Sequence, residues 1–432
     1  MFFHVEENLN YYKSKLNNSF DVCTRKLKVG QTEIGMIFIK SMMDKEIFVN
    51  SVMSPLQDYD KKEKVTFKIL ENEILKIFEL ETVETEDDVI TKLTQNNLII
   101  FLEGEKCALV TDMEKAPVRT PAEPPTSSVI RGPREGFVED IKSNIALLRL
   151  RFKTEKLCIK NFEVGRYTKT KVCLFSLKGI ADENLIKKIS KELESIDIDA
   201  IVDSHYILTF LQAGTGLLFK QIGATEKPDI VAAKMLEGRI AIMVDGSPIV
   251  LTLPFVFLED LQASNDYYSN PLYVTFMRII RALGIVLTCI LPGVFLSFRL
   301  YHYKALPLKY LITVTNSTQG LPFSPFIEMV FILILFQILY EVSLRLPRYL
   351  GIATSIVGAL ILGDTGVKAG LISSPAVIII AMSMIAVYTV PDQAPQLTVL
   401  RVIFIFLGGT LGLLGVVAGM IYFINEMNAL NF

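Results

Sequence analysis

The chain has 432 residues, 51% of them hydrophobic and 21% charged, with 44 Lys and Arg against 46 Asp and Glu. A net charge near zero, with no basic run interleaved with aromatic residues, argues against a nucleic-acid partner. The charges are uneven: from Arg278 onward there are nine basic and five acidic residues, so an oily final third follows a water-compatible front.

Met1 to Asn10 carries Glu6 and Glu7 and no apolar core, so no cleavable signal peptide is expected. Residues 1–115 read as a first soluble α/β subdomain. Val22–Val29 and Ile34–Lys40 suit strands, and Asp44–Leu56 suits a helix. Leu98–Leu102 and Cys107–Val110 flank a Gly104 turn. The acidic stretch Glu79 to Asp88 reads as a solvated face. Residues 116–133 hold Pro117, Pro121, Pro124, Pro125 and Pro133 and predict a stiff linker.

A second soluble α/β subdomain is expected over 134–235. It contains a helix near Phe137–Phe152, strands at Leu157–Phe162 and Val172–Leu177, and a helix over Asp182–Ile196. Asp182 is the N-cap of that last helix, and Leu185, Ile189, Leu193 and Ile196 share one face. Residues 236–277 read as a membrane-proximal hairpin and interfacial segment. Ile240–Leu258 is oily, but Asp245 and Gly246 at its centre make a turn, and a buried Asp would cost about 3 kcal/mol in lipid.

Residues 278–432 predict an all-α polytopic membrane bundle of about five helices. The expected spans are 282–298, 325–344, 351–370, 371–390 and 402–425, judged against the roughly 20 apolar residues a crossing needs. With the charged front portion held cytoplasmic, Arg278, Arg281, Arg345, Arg348 and Arg401 fall on the inside. Arg299, Lys304, Lys309 and Lys368 fall opposite. Ionisable or polar groups inside spans are candidates for an ion path: Glu328, Gln337, Glu341, Arg345, Asp364 and Lys368. Glu341/Arg345 and Asp364/Lys368 also stand at i,i+4, where each pair can neutralise itself, and Glu328 sits in a first helical turn. Gly366/Gly370, Gly408/Gly412 and Gly415/Gly419 form small-xxx-small pairs suited to close helix packing.

Catalytic chemistry finds no support. His4, His205 and His302 lie far apart, and the five cysteines (Cys23, Cys107, Cys158, Cys173, Cys289) form no CxxC. There is no phosphate-binding glycine loop. Neither an enzyme, a metal site nor a cofactor is expected.

Several phrases resemble the A-subunit family of GerA-type spore germinant receptors, in that family's order. The first comprises Arg131, Gly132, Pro133, Arg134, Glu135 and Gly136 before Phe137, followed by Lys142-Ser-Asn144 and Gly165-Arg-Tyr167. Thr225, Glu226, Pro228 and Asp229 form another, then Glu237, Gly238 and Arg239, then Asp245 and Gly246 before Ser247-Pro248. Asp266, Tyr267 and Tyr268 follow, with Leu321-Pro-Phe323, Arg345-Leu-Pro347, Ser355-Ile-Val-Gly-Ala359 and Val367-Lys-Ala-Gly370.

Departures are visible too. Leu333, Gln337 and Tyr340 stand where the family carries more acidic residues and an Arg, Gly216-Leu-Leu-Phe219 replaces a Ser-Phe-Pro run, and no polar tail follows the last span. The resemblance implies a multi-pass subunit in the inner membrane of a bacterial spore, its N-terminal region facing the core. It implies assembly into a homo-oligomer, with a permease-like B subunit and a lipoprotein C subunit as partners, and an ion path opened on germinant sensing. The departures keep a non-conducting scaffold or amplifier in view, with a secondary transporter as a further alternative.

Overall fold

The computed structural model describes residues 1–60, 63–77, 79–113, 132–212 and 218–428. Residues 116–131 of the expected 116–133 linker, Arg131 among them, and the Gly216 and Phe432 positions lie outside the described residues. The chain divides into one unit of Met1–Thr215 with Gln221–Phe255 and a second of Gly216–Lys220 with Val256–Asn431.

In the first unit, largely buried apolar strands, flanked by more exposed edge strands, build two sheets. Helix α1 (Val5–Lys15) precedes the hairpin β1 (Val22–Val29) and β2 (Thr32–Ile39). A helical run over 45–58 follows, opened by Asp44, whose carboxylate accepts the Glu46 and Ile47 N–H groups. Then come β3 (Glu81–Val83), α2 (Glu86–Thr94) and the hairpin β4 (Asn97–Leu102) and β5 (Ala108–Asp112). Part of the acidic stretch read as a solvated face is thus a helix start. Thr85 caps it through the Asp88 N–H, and Val89 and Leu93 turn inward.

The second subdomain opens with α3 (Ile141–Arg151), β6 (Leu157–Val164) and β7 (Thr170–Leu177). It continues with α4 (Glu183–Ser195), α5 (Ser204–Gln212), β8 (Gly223–Thr225), α6 (Pro228–Leu236), β9 (Ile240–Val244) and β10 (Val250–Leu253). Asp182 caps α4 by accepting the Asn184 N–H at 2.9 Å.

The sheets run β1-β2-β4-β5-β3 and β6-β7-β9-β10-β8, every pair antiparallel. Renumbered within each subdomain, both orders are 1-2-4-5-3. The layers repeat as well. One face of the first sheet packs Ile37, Ile99 and Phe101 against Val5, Leu9 and Tyr12 of α1 and Val89 and Leu93 of α2. One face of the second packs Ile159, Phe175 and Met243 against Ile141, Ile145 and Leu148 of α3 and Val231 and Met235 of α6. The opposite faces take the 45–58 helical run and a second one over 67–74 in one case, and α4 with α5 in the other. Each such aliphatic or aromatic burial is worth about 1.5–3 kcal/mol. The first unit is therefore one architecture used twice.

The Asp245-Gly246 turn is the hairpin read from the sequence, with Gly246 at φ 89°. Its strands are not a membrane-surface element. β9 is wholly buried inside the second sheet between β7 and β10, and this unit continues to Phe255 rather than ending near 235.

In the second unit, α7 (Pro271–Leu300) is followed by α8 (Leu308–Thr318), α9 (Pro325–Arg345), α10 (Arg348–Leu360), α11 (Ser374–Ala386) and α12 (Ala394–Asn428). Three stretches are long and apolar enough to cross a membrane: Pro271–Leu300, Pro325–Arg345 and Pro391–Asn428. The 351–370 run instead belongs to α10 and a wider-turn continuation to Lys368, and 371–390 contains the shorter apolar helix Ser374–Thr389.

The expected span 402–425 is not one straight rod. Gly412 has φ 65° and ψ −145°, outside helical space. A Cβ on Gly415 would fall 2.3 Å from the Leu407 carbonyl oxygen, and one on Gly419 would fall 2.9 Å from Leu407 and Phe404 side-chain carbons. Those residues are eight to fifteen positions apart and can touch only if the helix doubles back. α12 is therefore a helical hairpin with arms of roughly 25 Å.

Candidate functional site

The second unit holds its polar groups in three ways. Glu328, in the first turn of α9, is fully buried. One carboxylate oxygen accepts Arg299 Nη1 at 2.7 Å and the other accepts the Ser373 N–H at 2.6 Å. Arg299 closes α7 and Ser373 is the N-cap of α11, so one carboxylate ties three helices together. Both oxygens are engaged by structural donors.

The pairs Glu341–Arg345 and Asp364–Lys368 form at 2.7 and 2.8 Å with all four side chains at least half exposed. They sit on outward faces and neutralise themselves. Gln337, half-buried on α9, faces a cavity of about 510 Å³ with Tyr340, Tyr388, Thr398 and Arg401 in its lining. Arg401, read from the sequence as a flanking charge, lies instead inside the first arm of α12 with no exposed surface. A lone cation directly before an apolar run carried no sequence signal for that placement.

The glycine pairs separate into distinct roles. A Cβ on Gly408 would come 2.2 Å from the Gly293 carbonyl oxygen, and one on Gly293 would come 2.4 Å from that of Phe404, so α7 and α12 cross with backbones in contact. Gly412 is the bend. The Tyr301 hydroxyl reaches the Gly409 and Thr410 carbonyls at 2.9 and 3.0 Å, groups the broken helix leaves without internal donors. Gly366 packs on Ile372, and Gly370, at φ 66°, ends its helix.

Asp266 is the anchor of the approach to α7. Arg281 grips it with two nitrogens at 2.7 and 2.9 Å, and Arg278 adds Nε at 3.2 Å. Burial alone would raise the Asp266 carboxyl. Hydrogen bonds from Arg281, the Ala263 N–H and Arg278 outweigh it and hold the group below the ordinary carboxylate range. Tyr267 and Tyr268 beside it are exposed.

The remaining phrases gather in the second subdomain. The Phe137 N–H donates to the Glu226 carbonyl at 2.8 Å, the Gly246 N–H to that of Glu139 at 2.9 Å, and the Ile141 N–H to Asp245 at 3.3 Å. Residues of three separate phrases are thus stitched side by side around the start of α3. Glu135 pairs with Arg151 at 2.6 Å, while Gly132 is in the left-handed region and Pro133, Gly136 and Arg134 lie along the entry to this segment. Pro228 opens α6 with Asp229 in its first turn, following Thr225 at the end of β8. Glu237 and Gly238 close α6, and Arg239 donates to the Pro254 carbonyl at 2.6 Å. Ser247 bonds Asp203, whose carboxyl is held below its ordinary value: burial opposes this, but the Ser247 hydroxyl and the His205 and Ser204 N–H groups prevail.

The two subdomains are joined by a contact that the sequence did not disclose. Arg149 of α3 donates through Nε and Nη2 to both Asp21 oxygens at 2.8 Å, with Ser19 at 3.0 Å, all buried. Ser19 also accepts the Ile159 N–H at 3.1 Å. All five cysteines are unpaired, and burial pushes the Cys173 thiol up to about 12, which makes it unreactive. Among the described residues no group of His, Cys, Asp and Glu could hold a metal.

A duplicated α/β unit followed in the same chain by apolar helices with internal ion pairs defines a bipartite protein, part polar and part suited to lipid. The chain belongs to the GerA family: the model described as "Bacillus/Clostridium GerA spore germination protein" matches residues 10–431. It is 32% identical to spore germination protein KA of Bacillus subtilis (strain 168), over 96% of this chain and 78% of that one. Uncharacterized membrane protein YfkQ of the same organism is 33% identical over 97% of this chain and 82% of its own length. Spore germination protein A1 is 29% identical over 97% and 86% respectively. The crystal structure of the N-terminal domain of the A subunit of the Bacillus megaterium spore germinant receptor GerK3 aligns with a TM-score of 0.46 at 29% identity. It covers 59% of this chain and 96% of the solved domain.

Proposed function

We propose that the chain is the A-type membrane subunit of a nutrient-responsive spore germinant receptor, held in the inner spore membrane with its α/β unit facing the core. The observation that carries this reading is family membership over nearly the whole chain, with relatives named as spore germination proteins. The apolar stretches within 271–428 supply the means of membrane insertion. In this reading copies of the chain assemble with a permease-like B subunit and a lipoprotein C subunit, and the assembled helices form an ion path. Nutrient opens that path only to the extent that it binds the open state more tightly than the closed one.

A second reading, a non-conducting scaffold or amplifier, is favoured by one specific observation. The carboxylates of Glu328, Glu341 and Asp364 are each engaged by a cation of the same chain, leaving none of these three free to receive a passing ion. Planar-bilayer recording on the purified, full-length chain separates the two. A reproducible unitary current supports the channel, whereas silence from protein shown to be folded and inserted supports the scaffold.

A further inference from the structure

Arg401 is a buried charge of the second unit with no carboxylate partner among the described residues. Its guanidinium has no exposed surface, yet its acceptors are all neutral: Thr398 Oγ1 at 3.1 Å, Ser383 Oγ at 3.3 Å and Met384 Sδ at 2.7 Å. Nε has no acceptor at all, and among the described residues no carboxylate pairs with it. Ser383 and Met384 lie in the last turns of α11, whose dipole offsets part of the charge. A buried cation without a counter-ion remains costly, because neutral hydroxyls replace only part of its lost hydration.

That cation stands in the wall of a half-open pocket of about 510 Å³. The walls divide by chemistry. Arg401, Gln337 and Thr398 bring donors, and Tyr340 and Tyr388, with ring centroids 6.2 Å apart, bring aromatic faces along with Val387. A guanidinium fork matches an oxyanion, and aromatic and aliphatic walls match an apolar body.

We propose that Arg401 turns into this pocket to meet the carboxylate or phosphate of a small oxyanion that carries an apolar body. Such a ligand supplies the missing counter-charge and holds α9, α11 and α12 together around itself. The same chemistry is presented by a free organic acid and by the head of an anionic lipid, and the site stands whether or not the helices conduct.

The test uses the full chain purified in phosphatidylcholine nanodiscs, with benzoate and its neutral isostere benzamide as probes and a second set of discs containing phosphatidylglycerol. Thermal unfolding and equilibrium binding are read. Either benzoate stabilises the protein saturably and binds at least about tenfold more tightly than benzamide, or phosphatidylglycerol raises the unfolding temperature. The first outcome identifies a free acid and the second a lipid head. In either case Arg401→Gln loses the effect, and Arg401→Lys, which keeps the charge without the fork, retains part of it. Should Arg401→Gln fail to fold, Gln337→Leu and Thr398→Val are expected to weaken binding severalfold. Benzamide matching benzoate in discs where phosphatidylglycerol also has no effect overturns the proposal, as does an anion effect that persists undiminished in Arg401→Gln.

Discussion

The side-chain contacts that organise this chain are those between residues distant in sequence. Asp21 and Arg149 form a bidentate, buried pair across the two subdomains. Removing one member strands the other charge, so Asp21→Ala in the full chain is expected to lower stability by about 3–5 kcal/mol, read by thermal or urea unfolding. A loss below about 1 kcal/mol would place the pair among weak surface bridges. Asp266 allows a pH test. Its folded value lies below its unfolded one, so its stabilisation is complete above the unfolded value and disappears as pH falls toward the folded one. The stability gap between the native chain and Asp266→Asn should therefore be constant from neutral pH down to about 4 and close below that. A gap that widened on acidification would contradict the clamp. The i,i+4 pairs Glu341/Arg345 and Asp364/Lys368 were legible because helical periodicity alone brings them together. Asp266 with Arg281, Arg299 with Glu328 and Asp21 with Arg149 were not, since only the folded chain puts them side by side.

Among elements, the strands β1, β2, β4, β5, β6 and β7 and the Asp182-capped helix were readable from apolar patterning, turn residues and caps, whereas the short edge strands β3 and β8 were not. The placement of the 240–253 hairpin was not, because a continuous apolar strand reads alike in a sheet core and at a bilayer surface. The fold in α12 was concealed for a related reason. A glycine within an apolar run signals close packing, and Gly408 has that role while Gly412 four residues later is a bend. Spin labels at positions 394 and 427 test this. Ala394 and Met427 pack on the same apolar cluster, so the hairpin predicts a separation on the order of 10 Å, whereas a straight helix would hold them about 50 Å apart. The Gly408–Gly293 crossing gives a second test: Gly408→Leu is expected to destabilise the helical unit by several kcal/mol or prevent its assembly, since the nearest obstacle is backbone that cannot give way. Near-native melting of that variant would deny the contact. Glu328→Ala should likewise reduce the amount of folded protein recovered from membranes, because its oxygens are engaged by Arg299 and Ser373.

At the scale of the molecule, the first unit repeats one layered 1-2-4-5-3 architecture, and the second is a set of apolar helices in which Glu328, Glu341 and Asp364 are paired with cations of the same chain. The repeat was hidden from the sequence because the matching segments share layer positions and strand order while differing in residues and loop lengths. Family membership was legible, because phrases such as Thr225 to Asp229 and Asp245 to Pro248 are local and occur in order. The proposed role as a receptor subunit with an ion path is tested by the release of ions. The most direct measurement is nutrient-triggered release of monovalent cations from spores that carry this chain as the A-type subunit of their sole germinant receptor, beside spores from which it alone is deleted. The account predicts that some nutrient drives release in the first and none does so in the second; release that is equal in both, across nutrients that germinate the parent spores, would contradict it.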